Sequence, residues 1–286
     1  MESKLIIIIL FAFMLSGCGT AYGKTDTKIE VSSYSENTIK LNGRYSLDIS
    51  CDIGNIGIYT WKRDEIKIEI TRRVKGTYKR EMLMEKLENF DIELITDNDT
   101  VFLKSRYKGR KKDLYDAIVD YTIYMPKTIE HMNYKVSEGK VRIYDDIQGV
   151  LKAELDNTDI QINRFNGVLN IFGEEGDVKI SNGKIKGNSE VSKKAGNIFI
   201  KAEFDQNGEY MISTGFGHIE LLAEAGSKIN FETVGELTIN EFEQNGFITS
   251  NGINQLKMQG YNLSNEDKVP KVKLKSELGK ISIRKY

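Results

Sequence analysis

Gly139-Lys140-Val141-Arg142-Ile143 is echoed by Thr158-Asp159-Ile160-Gln161-Ile162, Gly176-Asp177-Val178-Lys179-Ile180, Gly196-Asn197-Ile198-Phe199-Ile200, Gly217-His218-Ile219-Glu220-Leu221 and Gly235-Glu236-Leu237-Thr238-Ile239. A last copy reads Gly279-Lys280-Ile281-Ser282-Ile283. From 139 to 235 the copies lie 19, 18, 20, 21 and 18 residues apart, and weaker copies opened by Gly149, Gly167, Asn182-Gly183 and Asn245-Gly246 fall half-way between several of them. Apolar residues at every second position read as short strands with one face in a core and the other in water. Gly or Asn-Gly ahead of each strand supplies a corner, because these residues tolerate the positive φ that a tight turn needs.

A near-constant period of about twenty residues with two strands per period predicts an all-β fold, a β-solenoid whose rungs bury their apolar faces against their neighbours. The array should occupy residues 131–286 and run on to the C-terminus. Val141, Ile143, Val178, Ile180, Ile198, Ile200, Ile219, Leu221, Leu237 and Ile239 should point inward. A sandwich of hairpins is the alternative that the Asn-Gly turns would also suit, but it gives no reason for a uniform period.

Working towards the N-terminus, residues 41–130 form a smaller strand-rich region. Leu47, Ile49 and Cys51, then Ile56 and Ile58, then Ile66, Ile68 and Ile70 alternate with polar residues. Leu83, Leu87 and Phe90 recur instead at helical spacing among Lys and Glu, which predicts an amphipathic helix near 79–90. Residues 18–40 are small and polar and read as a tether. Ahead of them, Lys4, the apolar run Leu5–Leu15 and the small residues Ser16 and Gly17 describe a secretory signal over residues 1–17, too short to span a bilayer.

Leu15-Ser16-Gly17-Cys18 resembles the lipobox of bacterial lipoproteins, which implies acylation of the Cys18 thiol and a chain anchored to membrane lipid outside the cytoplasm. Each buried acyl CH₂ contributes about 0.8 kcal/mol, so two chains hold a soluble domain without a transmembrane helix. Cys51 is then the one remaining thiol, read as a small buried hydrophobe. Farther along, the step Tyr121-Thr-Ile123-Tyr-Met125-Pro126 and the Gly-x-apolar-x-apolar run after it resemble the bacterial "putative adhesin" β-strand-repeat family, domain of unknown function 4097. The resemblance spans roughly residues 45 to 284 and is strongest over 119–200. The family's Asn-Gly-Asp-Ile repeat takes the degraded form Asp156-Asn157-Thr158-Asp159-Ile160, and the helix and the basic segment after it look like insertions. What the resemblance implies is a β-solenoid with no established enzyme activity.

Residue chemistry points away from catalysis. The net charge of −1 gives no nucleic-acid footprint. Two histidines, His131 in a loop and His218 at an outward position, and the lone Cys51 supply neither a triad nor a zinc site, and no cofactor is expected. Asp145-Asp146, Asp156 with Asp159, and Glu174-Glu175 with Asp177 lie near successive turns, where acids serve local hydrogen bonds. Candidate binding residues are Trp61 and the basic run Lys104, Arg106, Lys108, Arg110, Lys111 and Lys112, suited to anionic headgroups or wall polymers, or simply a charged hairpin tip. Tyr59, Tyr121 and Tyr124 are further aromatics for sugars or a protein partner.

Three functions fit these residues: a non-catalytic binding, scaffolding or adhesion protein of the envelope that meets a wall polymer or membrane protein, an accessory that touches a membrane sensor and reports envelope stress, or a polysaccharide-degrading β-helix. The anchor is directly testable. Cys18→Ser should leave the protein uncut or in the soluble fraction, and its persistence with membranes after a high-salt wash, which removes charge-held protein, would reject the lipoprotein assignment.

Overall fold

The computed structural model describes residues 28–41, 43–109, 117–242, 255–257 and 269–286. The repeat region forms β7 (Thr128–Glu175), which runs unbroken through two strong and two weak copies, then β8 (Val178–Ile185), β9 (Ser189–Ala195), β10 (Ile198–Phe204), β11 (Glu209–Phe216), β12 (Ile219–Ala223), β13 (Asn230–Asn240) and β15 (Lys271–Lys285), with β8, β10 and β12 each beginning at the first apolar residue of a strong copy. Strong copies pair in phase and in parallel, Ile160 opposite Val178, Val178 opposite Ile198, Ile198 opposite Ile219, and Ile219 opposite Ile281. The segments between strong copies pair in the same way, Ile171 with Val191, Val191 with Ile212, and Ile212 with Leu274, while the weak copy at Asn182-Gly183 forms the end of β8.

The fold is all-β, but the expected solenoid is overturned on two counts. First, the hydrogen-bonded path closes on itself. It passes from β7 through β8, β10, β12, β15, β11 and β9 back to β7, a closed barrel of seven parallel strands with the other strands outside it. Closure follows from the two long strands: β7 pairs with both β8 and β9, and β15 with both β12 and β11, so each carries the ladder round from one series of copies to the other. Second, the copies are not stacked in chain order. β15, the last copy, lies between β12 and β13, with Ile281 opposite Ile219 on one side and Leu237 on the other. Every copy offers the same backbone edge, so sequence order does not dictate stacking order.

Of the residues expected to face inward, Val141, Ile143, Val178, Ile180, Ile198, Ile200, Ile219 and Leu221 are buried. Leu237 and Ile239 are only half-buried, because among the described residues the far side of β13 is covered over Glu232–Val234 alone, by β14 (Gln255–Lys257). The weak copy at Asn245-Gly246 falls outside the described residues.

Two devices hold the copies in phase. One is a column of glycines. Gly196 has φ +144° and Gly217 +150°, and a Cβ on Gly217 would sit 2.1 Å from the Gly196 carbonyl oxygen, as one on Gly196 would from that of Gly176. The other is a polar ladder at the next residue. Asp159 accepts the Asp177 N–H (3.0 Å), Asp177 that of Asn197 (2.7 Å), Asn197 that of His218 (3.0 Å), and His218 Nδ1 that of Lys280 (2.9 Å). Lys280 has no acceptor to offer, and the ladder ends there.

The N-terminal strands extend this sheet. β2 (Ser46–Trp61) pairs in parallel with β7, with β6 (Ala117–Pro126) and with β5 (Thr100–Tyr107). β3 (Glu65–Gly76) runs antiparallel between β6 and β1, and β4 (Phe90–Asp97) antiparallel to β5. Ile29–Lys40, read as tether, is itself strand β1, with Val31 buried. One helix, α1 (Arg80–Glu88), lies in the segment expected and buries Leu83 and Leu87. A single core runs from Val31 to Ile283, across the division at 130/131. Cys51 is buried in it beside Ser105, and desolvation pushes its thiol up to about 12.

Lys193 on β9 breaks the inward pattern of Val191 and Ala195. It is 3% exposed, and its ammonium donates to the carbonyls of Glu175 (2.7 Å), Leu155 and Thr158 (both 3.4 Å). Gly173 leaves it room, since a Cβ there would stand 2.5 Å from Nζ. Burial lowers the ammonium to about 8, against the opposing pull of Asp159, Asp156, Asp177 and Glu174.

Two outcomes follow. Gly196→Ala must strain its backbone and push on the Gly176 carbonyl, and should lose at least about 2 kcal/mol by denaturant unfolding, whereas Gly226→Ala, with nothing within 4 Å of its added Cβ, should stay within about 1 kcal/mol of wild type. Equal effects would reject the glycine-column account. Between about 8 and the unfolded value of 10.5, the unfolded chain holds more protons on Lys193 than the folded one, so this group makes stability rise with pH in that window. Cys51 acts oppositely above its ordinary 9.0, but cancels in the difference between wild type and Lys193→Met. That difference should therefore move in favour of wild type between about pH 7 and about pH 10, and a flat one would show that the buried ammonium carries no penalty.

Candidate functional site

Strand alternation sends Ile56 and Ile58 of β2 into the core and turns Asn55, Gly57, Tyr59 and Trp61 outward. On β6 the buried set is Tyr121, Ile123 and Met125, leaving Asp120, Thr122 and Tyr124 outside. On β7, Val141 and Ile143 are buried and Lys140, Arg142 and Tyr144 are outside. The parallel register sets Tyr59 opposite Tyr124, and Gly57 opposite both Thr122 and Arg142. Three Ile-Tyr steps, Ile58-Tyr59, Ile123-Tyr124 and Ile143-Tyr144, thus end level with one another on adjacent strands.

The result is an aromatic ladder across β6, β2 and β7. Tyr144 stacks on Tyr59 with centroids 4.5 Å apart and planes 6° apart, Tyr59 on Tyr124 at 5.4 Å, and Tyr124 on Trp61 at 5.5 Å. These separations are close to the inter-strand spacing, so the rings stand side by side with their inner faces covered and their edges turned to water. Arg63 lies 5.0 Å over Trp61 and Lys67 5.8 Å over Tyr124, and Trp61 Nε1 donates to the Glu65 carbonyl. Desolvation, then the neighbouring Tyr144, raise the Tyr59 hydroxyl above its ordinary value, which keeps it a protonated donor.

Below the ladder runs a shallow trough. Gly57 and Thr122 form its floor, and a Cβ on Gly57 would come within 3.4 Å of the Tyr144 ring and 3.7 Å of the Tyr59 ring. Asn55, bonded to Asp120 at 2.8 Å, and Lys140 border the far side. This hollow of about 200 Å³ adjoins a second of about 270 Å³ lined by Gln161, Lys179 and Phe199, and both are lined by Lys140 and Arg142. Asp120 is held by Arg73, Asp145 accepts the Thr60 N–H, and Asp159 and Asp177 belong to the polar ladder, so these acids are already engaged.

Among residues singled out in the sequence, Trp61 and Tyr59 lie in the ladder with Tyr124, whereas Tyr121 faces the core. Lys104, Arg106 and Lys108 are exposed on β5 and just beyond it, away from the trough. The register puts Glu93 opposite Lys104 and Asp91 opposite Arg106, and Lys108 pairs with Asp91 at 2.9 Å. Arg110, Lys111, Lys112 and Cys18 lie outside the described residues. His131 and His218 are exposed. Asp145, Asp159 and Asp177 serve as backbone acceptors, and among the described residues no group of three or more His, Cys, Asp or Glu is placed to hold a metal ion. Tyr144, Arg142 and Gly57 were missed, although the recurring Ile-Tyr step was a legible signal.

No protein-family model matches the sequence, and no curated protein does. Among solved structures, a "putative cell adhesion protein" from Clostridium sporogenes is 16% identical, with 90% of this chain and 100% of that one covered and a TM-score of 0.36. A "putative adhesin" from Bacteroides fragilis is 11% identical (91% and 100% covered, TM-score 0.32), and a "putative lipid binding protein" from Parabacteroides distasonis 10% identical (88% and 96%, TM-score 0.30).

Proposed function

We propose that this chain is a non-catalytic binding protein of the bacterial cell envelope, exported and held to a membrane by acylated Cys18, which engages envelope material through the outer face of β6, β2 and β7. The observation that carries the reading is the ladder of Tyr144, Tyr59, Tyr124 and Trp61, set beside a trough whose Arg142 guanidinium has no acid within 4.0 Å among the described residues. An aromatic row fixed by strand register is preorganised, so little side-chain entropy is lost when a partner lies against it. Aromatic and arginine side chains are also the residues that dominate binding energies at contact surfaces. The resemblance of the repeats to the adhesin-type family and the lipobox at Leu15–Cys18 agree with this reading. Binding is favoured over polysaccharide cleavage because Asp145, Asp159 and Asp177 are tied to backbone N–H groups.

Detergent-solubilised full-length protein should sediment with envelope material stripped of its own proteins. Tyr144→Ser should weaken that association about tenfold, and Lys104→Gln on β5 should leave it unchanged. Absence of sedimentation, or equal binding by wild type and a folded Tyr144→Ser, would reject the proposal.

A further inference from the structure

Resting on that reading, we infer that the trough takes a linear, hydroxyl-rich polyanion lying across the strands from Thr122 to Phe199. Register defines its track. Thr122 and Arg142 flank Gly57, and beyond Arg142 the shared hollow continues to Gln161, which lies opposite Lys179, itself opposite Phe199. Five inter-strand steps of roughly 4.8 Å make a track of about 24 Å. It is shallow and open along its length, which suits an extended chain better than a compact molecule. The aromatic ladder borders one side of its β6–β2–β7 end, and the Asp159, Asp177 and Asn197 ladder borders the other side farther along.

Charge selects the ligand. Among the described residues no acid stands within 4.0 Å of the Arg142 guanidinium or the Lys179 ammonium, and Lys179 instead lies 5.7 Å over the Phe199 ring. The bordering acids are neutralised or bonded: Asp120 by Arg73 and Asn55, Asp159 and Asp177 by backbone N–H groups. Two cations on one track match acid groups repeated along a chain, while Lys140 at its edge is already paired with Asp159, and a guanidinium suits carboxylate and phosphate alike. Tyrosine hydroxyls, Thr122 and Gln161 supply the donors and acceptors that a hydroxylated backbone requires. A neutral glycan would leave Arg142 unanswered, and a single-stranded nucleic acid would find the inner ring faces of the ladder already covered.

The test uses full-length protein in detergent and affinity electrophoresis against polygalacturonate, poly(glycerol phosphate), dextran and a single-stranded DNA oligonucleotide. At least one of the first two should retard the protein, dextran and DNA should not, and the responding polymer tells carboxylate from phosphate. Raising salt from about 50 mM to about 500 mM should weaken retardation about tenfold. Arg142→Gln should weaken it by a similar factor, and Gly57→Leu, which fills the trough, should do the same with its melting temperature checked. Retardation by neither polyanion, equal retardation by dextran or DNA, or wild-type behaviour of both folded variants would overturn the inference. If stripped envelope material binds while both polyanions fail, the ligand class is wrong and the binding role stands; if neither binds, both fall.

Discussion

The close approach of one copy's carbonyl oxygen to the next copy's corner glycine is the contact on which the rest of this architecture depends. At Gly217 and Gly196 there is no volume for a Cβ, so the backbone can turn with its neighbour directly against it. That approach sets the corners one inter-strand spacing apart and forces every copy to begin in the same phase. In-phase corners keep all apolar residues inside together. They also line up the outward residues in straight rows, and Tyr124, Tyr59 and Tyr144 stack because the register sets them level on adjacent strands.

Side chains reinforce what the glycines permit. The residue after the corner is Asp, Asn or His in Asp159, Asp177, Asn197 and His218, each accepting the N–H of its counterpart in the next copy. A net gain of about 1 kcal/mol for each such bond is modest, but leaving those N–H groups unpaired at a crowded corner would cost more. Lys193 reinforces the same row of corners by placing its ammonium among the carbonyls of Glu175, Leu155 and Thr158, the last of which faces Gly176.

Local features were legible. Alternation identified the buried residues from Val141 to Leu221, the helical spacing of Leu83 and Leu87 identified α1, and the Gly-x-apolar copies marked the corners. Long-range pairing was not. Nothing near Gly279 says that its copy will lie between those of Gly217 and Gly235, and nothing in a period of about twenty residues says that two strands will each join two series and close the path. Ile29–Lys40 looked like tether because its polar residues outnumber its apolar ones, yet its full-length pairing with β3 makes it an edge strand. The site divided along the same line. Trp61 stood out as the chain's one tryptophan, whereas Tyr144 and Arg142 gain meaning only once β2 and β7 are known to be neighbours.

The place of β15 also governs timing. The strand that joins β11, β12 and β13 comprises Lys271–Lys285, which follow all three in the chain. A nascent chain short of them has three strands with an open edge and a core that cannot be sealed, so cooperative folding waits until this strand has been made. Late, sequence-distant pairing of this kind also slows collapse to the native state. An unfinished core is the condition in which a polypeptide can still be threaded through a narrow translocation channel, and here the order of the strands itself delays the moment when threading would become impossible.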